Sequence, residues 1–142
     1  MKFIGQKGQD QWVIETIFNY KTDGYFVDLA ATDGIHINNT LLLERDLNWN
    51  GICIEPNPQY YDKLKKNRIC NVTDIVIDRA NDSEINFRID NGELGGIVDN
   101  DTDNNYKNRG NELKKAKILK LKTKTLEYIL EHFNAPKIID YL

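Results

Sequence analysis

Residues 24–34 read GYFVDLAATDG, and this stretch decides the fold class. Its first part is a short apolar run, rich in residues that favour β-structure, which is typical of a strand buried on both faces. Thr32, Asp33 and Gly34 follow as a turn. A second run of the same kind, GICIE at residues 51–55, comes after a short helical pattern. A strand, a turn, a helix and a second strand predict an α/β fold with parallel strands.

The rest of the chain continues this alternation. Hydrophobic periodicity and capping residues predict helices over 10–20, 41–47, 58–67 and 126–133. Apolar runs, continuous or alternating, predict strands over 25–31, 51–55, 71–77, 85–89, 118–122 and 137–142. Asn38, Asn39 and Thr40 are candidate N-caps for the second helix, and Asn57 for the third. We expect a mostly parallel sheet with flanking helices, in which 137–142 lies beside the first strand.

The composition indicates one domain. The chain has 142 residues, of which 40% are hydrophobic, and this is enough for a single core. No apolar run reaches the roughly 20 residues that span a bilayer, and the start of the chain shows no signal-peptide segment. Cys53 and Cys70 are too few for a disulfide framework. We therefore expect a cytoplasmic protein without a membrane partner.

Charge and metal-ligand spacing exclude two further classes of partner. The net charge is −3 and the pI is about 5.4, without the basic excess of a nucleic-acid-binding surface. His36 and His132 lack the spacing of metal ligands. The acidic stretch from Asp101 places Glu112 at position 12 of a calcium loop, but Tyr106 stands where that loop needs glycine. The sequence therefore predicts neither a nucleic-acid partner nor a metal site.

Polar residues converge where a parallel sheet binds its ligands, beyond the carboxyl ends of the strands. Asp28 and the turn 30–34 follow the first strand, Glu55 ends the second, and Asn39 and Thr40 stand at the start of the intervening helix. We expect these side chains to line one site.

The spacing of Glu55 indicates an adenosine ligand. It follows Gly34 by about 20 residues, where a nucleotide-binding fold places an acid for the ribose hydroxyls. A carboxylate suits a diol because its two oxygens accept two hydrogen bonds. Plainer roles remain open, since Asp28 could cap the strand end and Glu55 could be a helix-start carboxylate.

The turn 30–34 favours an adenosine ligand without phosphates over one that contains them. It reads AATDG and lacks the first two glycines of G-x-G-x-x-G, which let backbone amides approach a pyrophosphate. Asp33 would add negative charge beside phosphates, and no Gly-Lys-Ser/Thr follows the strand. S-adenosylmethionine has no phosphate and carries an ammonium and a sulfonium, which carboxylates favour. The candidate cofactor residues are Asp28, Ala30, Asp33, Gly34, Asn39, Thr40, Glu55, Pro56 and Asn57.

A string of short segments resembles the FkbM-type methyltransferases. In chain order it includes GQKGQD at 5–10, GYFVD at 24–28, WNGICIEPNP at 49–58, LKKNR at 64–68 and PKIIDYL at 136–142. The resemblance implies a Rossmann-like domain that uses S-adenosylmethionine to methylate a hydroxyl of a sugar or secondary metabolite. The acceptor would then be a small molecule or a glycan.

Within a single, partial domain 1–142 we expect four segments. They are an N-terminal helical segment 1–23, a cofactor-binding βαβ core 24–90, a polar loop 91–112, and the last strands and helix 113–142. The polar loop is rich in Asp, Asn and Gly and shows no apolar periodicity, so we expect it to be mobile.

The chain departs from the family pattern at two points. Ala30 stands where the family usually has glycine, and we expect its methyl group to narrow the path of the cofactor. The family continues past the last strand with a Ser-Leu-Asp-Val-Glu-Gly-like segment and further strands, so the resemblance implies a domain truncated after its fourth core strand. We expect an exposed apolar edge at 137–142, with a second chain as its candidate cover, and little methyl transfer by the isolated chain.

The sequence leaves the chemistry partly open. It identifies no catalytic base, and Asp33 is a weak candidate. One alternative is a non-catalytic fragment that binds the cofactor or a partner. The other is an enzyme that depends on NAD or another nucleotide, against which the turn 30–34 argues.

Overall fold

A parallel sheet of three strands forms the centre of the fold. The computed structural model describes all residues, 1–142. Strands β1 (Tyr25–Leu29), β2 (Asn50–Ile54) and β3 (Asn71–Thr73) pair in the order β1-β2-β3. Helix α2 (Leu41–Leu47) connects the first two strands, and α3 (Pro58–Asn67) connects β2 to β3. The predicted α/β class, with parallel strands and flanking helices, is confirmed.

Helices cover both faces of this sheet. Phe26 faces one core, which the buried side chains of α2, α3 and the N-terminal helix complete. That N-terminal helix, α1 (Gln9–Trp12), continues as a π-helical turn (Val13–Ile17). Val27 faces the second core, together with α5 (Leu126–His132). Both faces of β1 are therefore buried, as its continuous apolar run predicts.

The predicted strand 71–77 is wrong, because the chain leaves the first sheet after β3. Thr73 accepts a hydrogen bond from the Ile75 amide on its own hydroxyl, at 3.3 Å. This local turn diverts the backbone, and β4 (Val76–Ile77) joins a second sheet.

The second sheet mixes parallel and antiparallel strands. Its other members are β5 (Glu84–Arg88), β6 (Gly96–Ile97) and β7 (Ile118–Lys124), and its order is β4-β7-β5-β6. β4 runs parallel to β7, whereas β5 runs antiparallel to both β7 and β6. The fold therefore combines a parallel sheet with a mixed one.

The segment 137–142 lies beside β1, as predicted, but it is not a full strand. Tyr141 and Phe26 form a single parallel bridge, and the Val27 amide donates to the Tyr141 carbonyl at 2.9 Å. The carboxylate of Asp140 accepts the Tyr25 amide at 3.0 Å. The Asp140 side chain thus takes up the backbone amide of Tyr25. This amide is not available for a hydrogen bond between strands, so the pairing of the segment with β1 is shorter. No strand pairs with the outer side of this segment.

The segment 91–112, which we predict to be a polar loop, includes most of one helix. Helix α4 (Tyr106–Leu113) forms within it, capped by Asn105, whose side chain accepts the Asn108 amide at 2.7 Å. A 3-10 turn (Gly92–Leu94) and β6 precede α4. Only Leu113 of α4 is buried, so the sequence carries no apolar periodicity there.

Side chains cap the starts of α3 and α5. Asn57 accepts the Gln59 amide at the start of α3, and Thr125 accepts the Tyr128 amide at the start of α5.

None of the helices has the length and apolar character to cross a lipid bilayer.

Candidate functional site

Asp28 lies in β1 at the carboxyl edge of the parallel sheet. Its Oδ2 accepts two hydrogen bonds, from the Thr40 hydroxyl at 2.6 Å and from the Asn38 amide group at 2.9 Å. No protein group donates to Oδ1. One oxygen of this carboxylate is therefore held by the protein, and the other is available to a ligand.

The three candidate caps of α2 have different roles. Asn38 is the residue that caps the helix, because its Oδ1 accepts the amides of Thr40 and Leu41 at 3.0 and 2.9 Å. Thr40 directs its hydroxyl to Asp28. The Oδ1 of Asn39 is buried without a hydrogen-bond partner. Only Asn38 therefore satisfies the start of the helix.

Glu55 joins the ends of β1 and β2. The residue is only 5% exposed. Its Oε2 accepts the Thr32 amide and its Oε1 accepts the Asn57 amide, each at 2.9 Å. Burial raises the pKa of Glu55, the bonds from Asn57 and Thr32 oppose this rise, and the nearby charge of Asp28 adds to it. Each oxygen retains a second lone pair for a ligand.

An apolar cavity of about 290 Å³ opens beside Glu55. This is near the lower end of the volumes of small-molecule sites. Its polar wall comes from Thr32, Glu55, Asn57 and Glu93. Its apolar walls come from both sheets and from α3, and include Ile54, Tyr60, Val76, Ile77, Phe87 and Ile97. The cavity can enclose a flat aromatic group.

A polar recess of about 230 Å³ adjoins this cavity. It is lined by Asp28, His36, Asn38 and Asn39, among others. The cavity and the recess share four lining residues, namely Leu29, Ala30, Thr32 and Glu93. The two spaces therefore form one cleft along the carboxyl ends of β1 and β2, apolar at one end and acidic at the other.

Most of the predicted cofactor residues line this cleft. Asp28 and Asn39 line the recess, Glu55, Pro56 and Asn57 line the cavity, and Ala30 lines both. Thr40 lies behind Asp28 and reaches the cleft only through it.

Asp33 and Gly34 line neither space. The Asp33 Oδ1 accepts the amides of Ile35 and His36 at 2.9 and 2.8 Å. Burial acts to raise the pKa of Asp33, but these two bonds, together with the charges of His36 and Lys63, hold it below its usual range. Gly34 has a φ of 78°, and a Cβ there would lie 2.7 Å from Leu64 and from Arg68. Both residues form the turn rather than the site.

Sequence reasoning missed three polar residues near the cleft. His36 lines the recess, and its Nε2 lies 4.0 Å from Oε1 of Glu93, which belongs to the 3-10 turn. Arg68 is buried behind the recess, where it contacts Asn38 and Thr40. A lone histidine and a basic residue at a helix end carry no spacing signal, so only the fold brings them together. No group of three or more His, Cys, Asp or Glu side chains is arranged to hold a metal ion.

Comparison with known proteins gave no match: no protein-family model, no curated protein and no solved structure is significantly similar to the chain.

Proposed function

We propose that the cleft binds S-adenosylmethionine and that the chain is part of a Rossmann-like methyltransferase domain of the FkbM type. The observation that carries the proposal is the joined pair of spaces, an apolar cavity beside Glu55 and an acidic recess beside Asp28. The adenine of this cofactor is flat and uncharged, whereas its amino-acid end carries a sulfonium, an ammonium and a carboxylate and is positively charged overall. The apolar cavity and the acidic recess follow one another along the cleft in the same order as the adenine and the amino-acid end do along the cofactor.

The apolar cavity suits the adenine. Phe87, Ile97 and Ile77 supply the apolar walls that a planar base needs. The carboxylate of Glu55 lies at the edge of this cavity and has lone pairs for the two ribose hydroxyls. Asn57 is held by Glu55 and also lines the cavity. These contacts support the assignment of Glu55 to the ribose.

The acidic recess suits the amino-acid end. Asp28 keeps one free carboxylate oxygen there, and a charge-assisted hydrogen bond from an ammonium is among the stronger ones available to a protein. Asn39 lies in the same recess. The recess holds no lysine or arginine that would repel a cation.

The turn after β1 argues against a dinucleotide. Its amides are already engaged within the protein: Thr32 donates to Glu55, Gly34 to the Ala31 carbonyl, and Ile35 and His36 to Asp33. A pyrophosphate needs free backbone amides at this place. An NAD-dependent enzyme is therefore the weaker alternative.

When bound, the cofactor supplies an electrophilic methyl group, and the acceptor oxygen must lie in line with it. Catalysis then depends chiefly on positioning, to which the walls of the cleft contribute. We propose a hydroxyl of a sugar or secondary metabolite as the acceptor. Asp33 is poorly suited as the base because it lines neither space and its pKa is held below the usual range. His36 faces the recess and is better placed.

A second candidate function is binding without turnover, of the cofactor or of a partner chain. The unpaired outer side of 137–142 favours it, since a second chain could pair there. We also propose a cytoplasmic location, because the two cysteines are not a disulfide framework.

Calorimetric titration tests the cofactor. We expect S-adenosylhomocysteine to bind, and NAD and ATP not to bind. We also expect Glu55→Ala to weaken the binding of S-adenosylhomocysteine by roughly 1.5–3 kcal/mol, the range for a hydrogen bond to a charged group. Glu84→Ala, at an exposed carboxylate of β5 outside the cleft, is the matched control and should bind as the wild type does.

Two results would overturn this proposal. A preference for NAD over S-adenosylhomocysteine would reverse the reasoning on the turn. Unchanged affinity of a folded Glu55→Ala variant would reduce Glu55 to its structural bonds with Thr32 and Asn57.

A further inference from the structure

Arg68 is a fully buried cation directly behind the acidic recess. Its side chain has 0% exposure. The guanidinium lies over the face of Phe26, with its carbon 5.4 Å from the centre of the aromatic ring. Its two terminal nitrogens reach the residues that hold Asp28. Nη2 donates to the Thr40 hydroxyl at 3.0 Å, and Nη1 donates to Oδ1 of Asn38 at 3.1 Å.

The first of these bonds sets the direction of the Thr40 hydroxyl. Because its oxygen accepts from Arg68, its single hydrogen must point elsewhere. The nearest acceptor is Oδ2 of Asp28 at 2.6 Å, whereas Oδ1 of Asn38 lies at 3.1 Å. The hydroxyl therefore donates to the carboxylate.

The second bond adds to an orientation of the Asn38 amide that two backbone amides already set. Its Oδ1 already accepts the backbone amides of Thr40 and Leu41, and Arg68 adds a third donor. An NH₂ group in that place would face three donors, so the reversed orientation is excluded. The NH₂ group consequently faces Asp28 and donates to the same Oδ2.

The charge of Arg68 is balanced away from the site. Its Nε donates to Oε2 of Glu44 at 3.2 Å, and the Glu44 side chain is only 5% exposed. Glu44 also accepts the amides of Ile69 and Cys70. Because Glu44 neutralises Arg68, the negative charge of Asp28 remains for a ligand.

We infer that Arg68 is a positioning residue for the ammonium at the amino-acid end of the ligand: its bond to the Thr40 oxygen turns the Thr40 hydroxyl onto Oδ2 of Asp28, beside the donor of Asn38, and leaves Oδ1 to accept from the ligand. This inference rests on the proposed function. It assigns to Arg68 a role in recognising one end of the cofactor and none at the other end.

The test compares two ligands that differ at that end. S-adenosylhomocysteine carries the amino-acid group, whereas 5′-methylthioadenosine keeps the adenine and ribose and lacks it. Arg68→Lys retains the positive charge beside Glu44, but a single ammonium cannot reproduce the fixed set of N–H donors of the planar guanidinium. We expect its dissociation constant for S-adenosylhomocysteine to rise roughly tenfold, and that for 5′-methylthioadenosine to stay within about twofold. Arg45→Lys, the same change at an exposed arginine of α2, should bind both ligands as the wild type does.

A second variant covers the case in which Arg68→Lys does not fold. The pair Arg68→Met with Glu44→Gln removes both buried charges at similar volume, an exchange that proteins often tolerate. This double variant should likewise bind S-adenosylhomocysteine more weakly and bind 5′-methylthioadenosine with little change. Equal weakening of both ligands in either folded variant, or no change for either ligand, would overturn the positioning role. A wild type that binds neither ligand would overturn the proposed function itself, and the role of Arg68 falls with it.

Discussion

Ala30 holds a backbone conformation that a side chain disfavours. Its φ is 60°, in the left-handed region, and it lies at the junction of the apolar cavity and the polar recess. Glycine adopts this conformation without a steric penalty, whereas other residues incur one of about 1–2 kcal/mol. The backbone at Ala30 therefore favours glycine at this position.

At the scale of the residue we expect Ala30→Gly to raise the free energy of unfolding by about 1 kcal/mol, because it relieves the left-handed strain. Ala31→Gly is the matched control. Ala31 is buried and has no positive φ, so this change should lower the free energy of unfolding by about 1 kcal/mol. Urea unfolding of the three proteins measures both effects. A destabilised Ala30→Gly variant would contradict the strain argument.

At the scale of the element, one side chain adds to the backbone bonds that hold the last segment. The carboxylate of Asp140 accepts from the Tyr25 amide and from Lys21 Nζ, and these bonds hold 137–142 against β1. The lysine bond and the amide bond lower the pKa of Asp140. The segment is otherwise tied to β1 by a few backbone bonds, such as that from Val27 to Tyr141.

We therefore expect Asp140→Ala to release this segment while β1 stays paired with β2. Hydrogen exchange of the Val27 amide should become faster by on the order of tenfold, the effect of losing a hydrogen bond to a charged group. The Ala31 amide, which donates to the Ile54 carbonyl, is an internal control and should not change. Unchanged exchange at Val27 would show that Asp140 does not hold the segment.

At the scale of the whole molecule, buried carboxylates give stability opposite dependences on pH. Burial acts to raise the pKa of Glu44, but hydrogen bonding at Cys70 and the charge of Arg68 outweigh it, so the pKa is lowered. Such a group stabilises the fold above its usual pKa and loses this contribution as the pH falls through its folded pKa. Glu55 has a raised pKa, so its contribution is greatest at low pH and is lost as the pH rises.

On acidification we expect the carboxylates with lowered pKa values to dominate, because the pKa values of Asp33 and Asp140 are lowered as well as that of Glu44. The free energy of unfolding should fall as the pH is reduced below about 4. The pair variant of Arg68→Met with Glu44→Gln lacks the titrating carboxylate, so it should lose less stability over the same range. Urea unfolding at several pH values measures this difference, and parallel curves for the two proteins would refute it.

The sequence by itself determined the features that depend on neighbours along the chain. The apolar runs of β1 and β2 specify buried strands, and Asn57 and Thr125 cap their helices through amides two or three residues away. The positions of Asp28 and Glu55 at strand ends follow from the same local patterns.

Only the tertiary structure decided the features that depend on distant residues. The sheet that β4 joins is set by its pairing with β7, where Val76 lies opposite Thr123. The apolar cavity draws its walls from both sheets and from α3, and Arg68 reaches Asn38 and Thr40 only because α3 packs beside α2. Residues far apart in sequence meet through the packing of whole elements, and no local pattern encodes that packing.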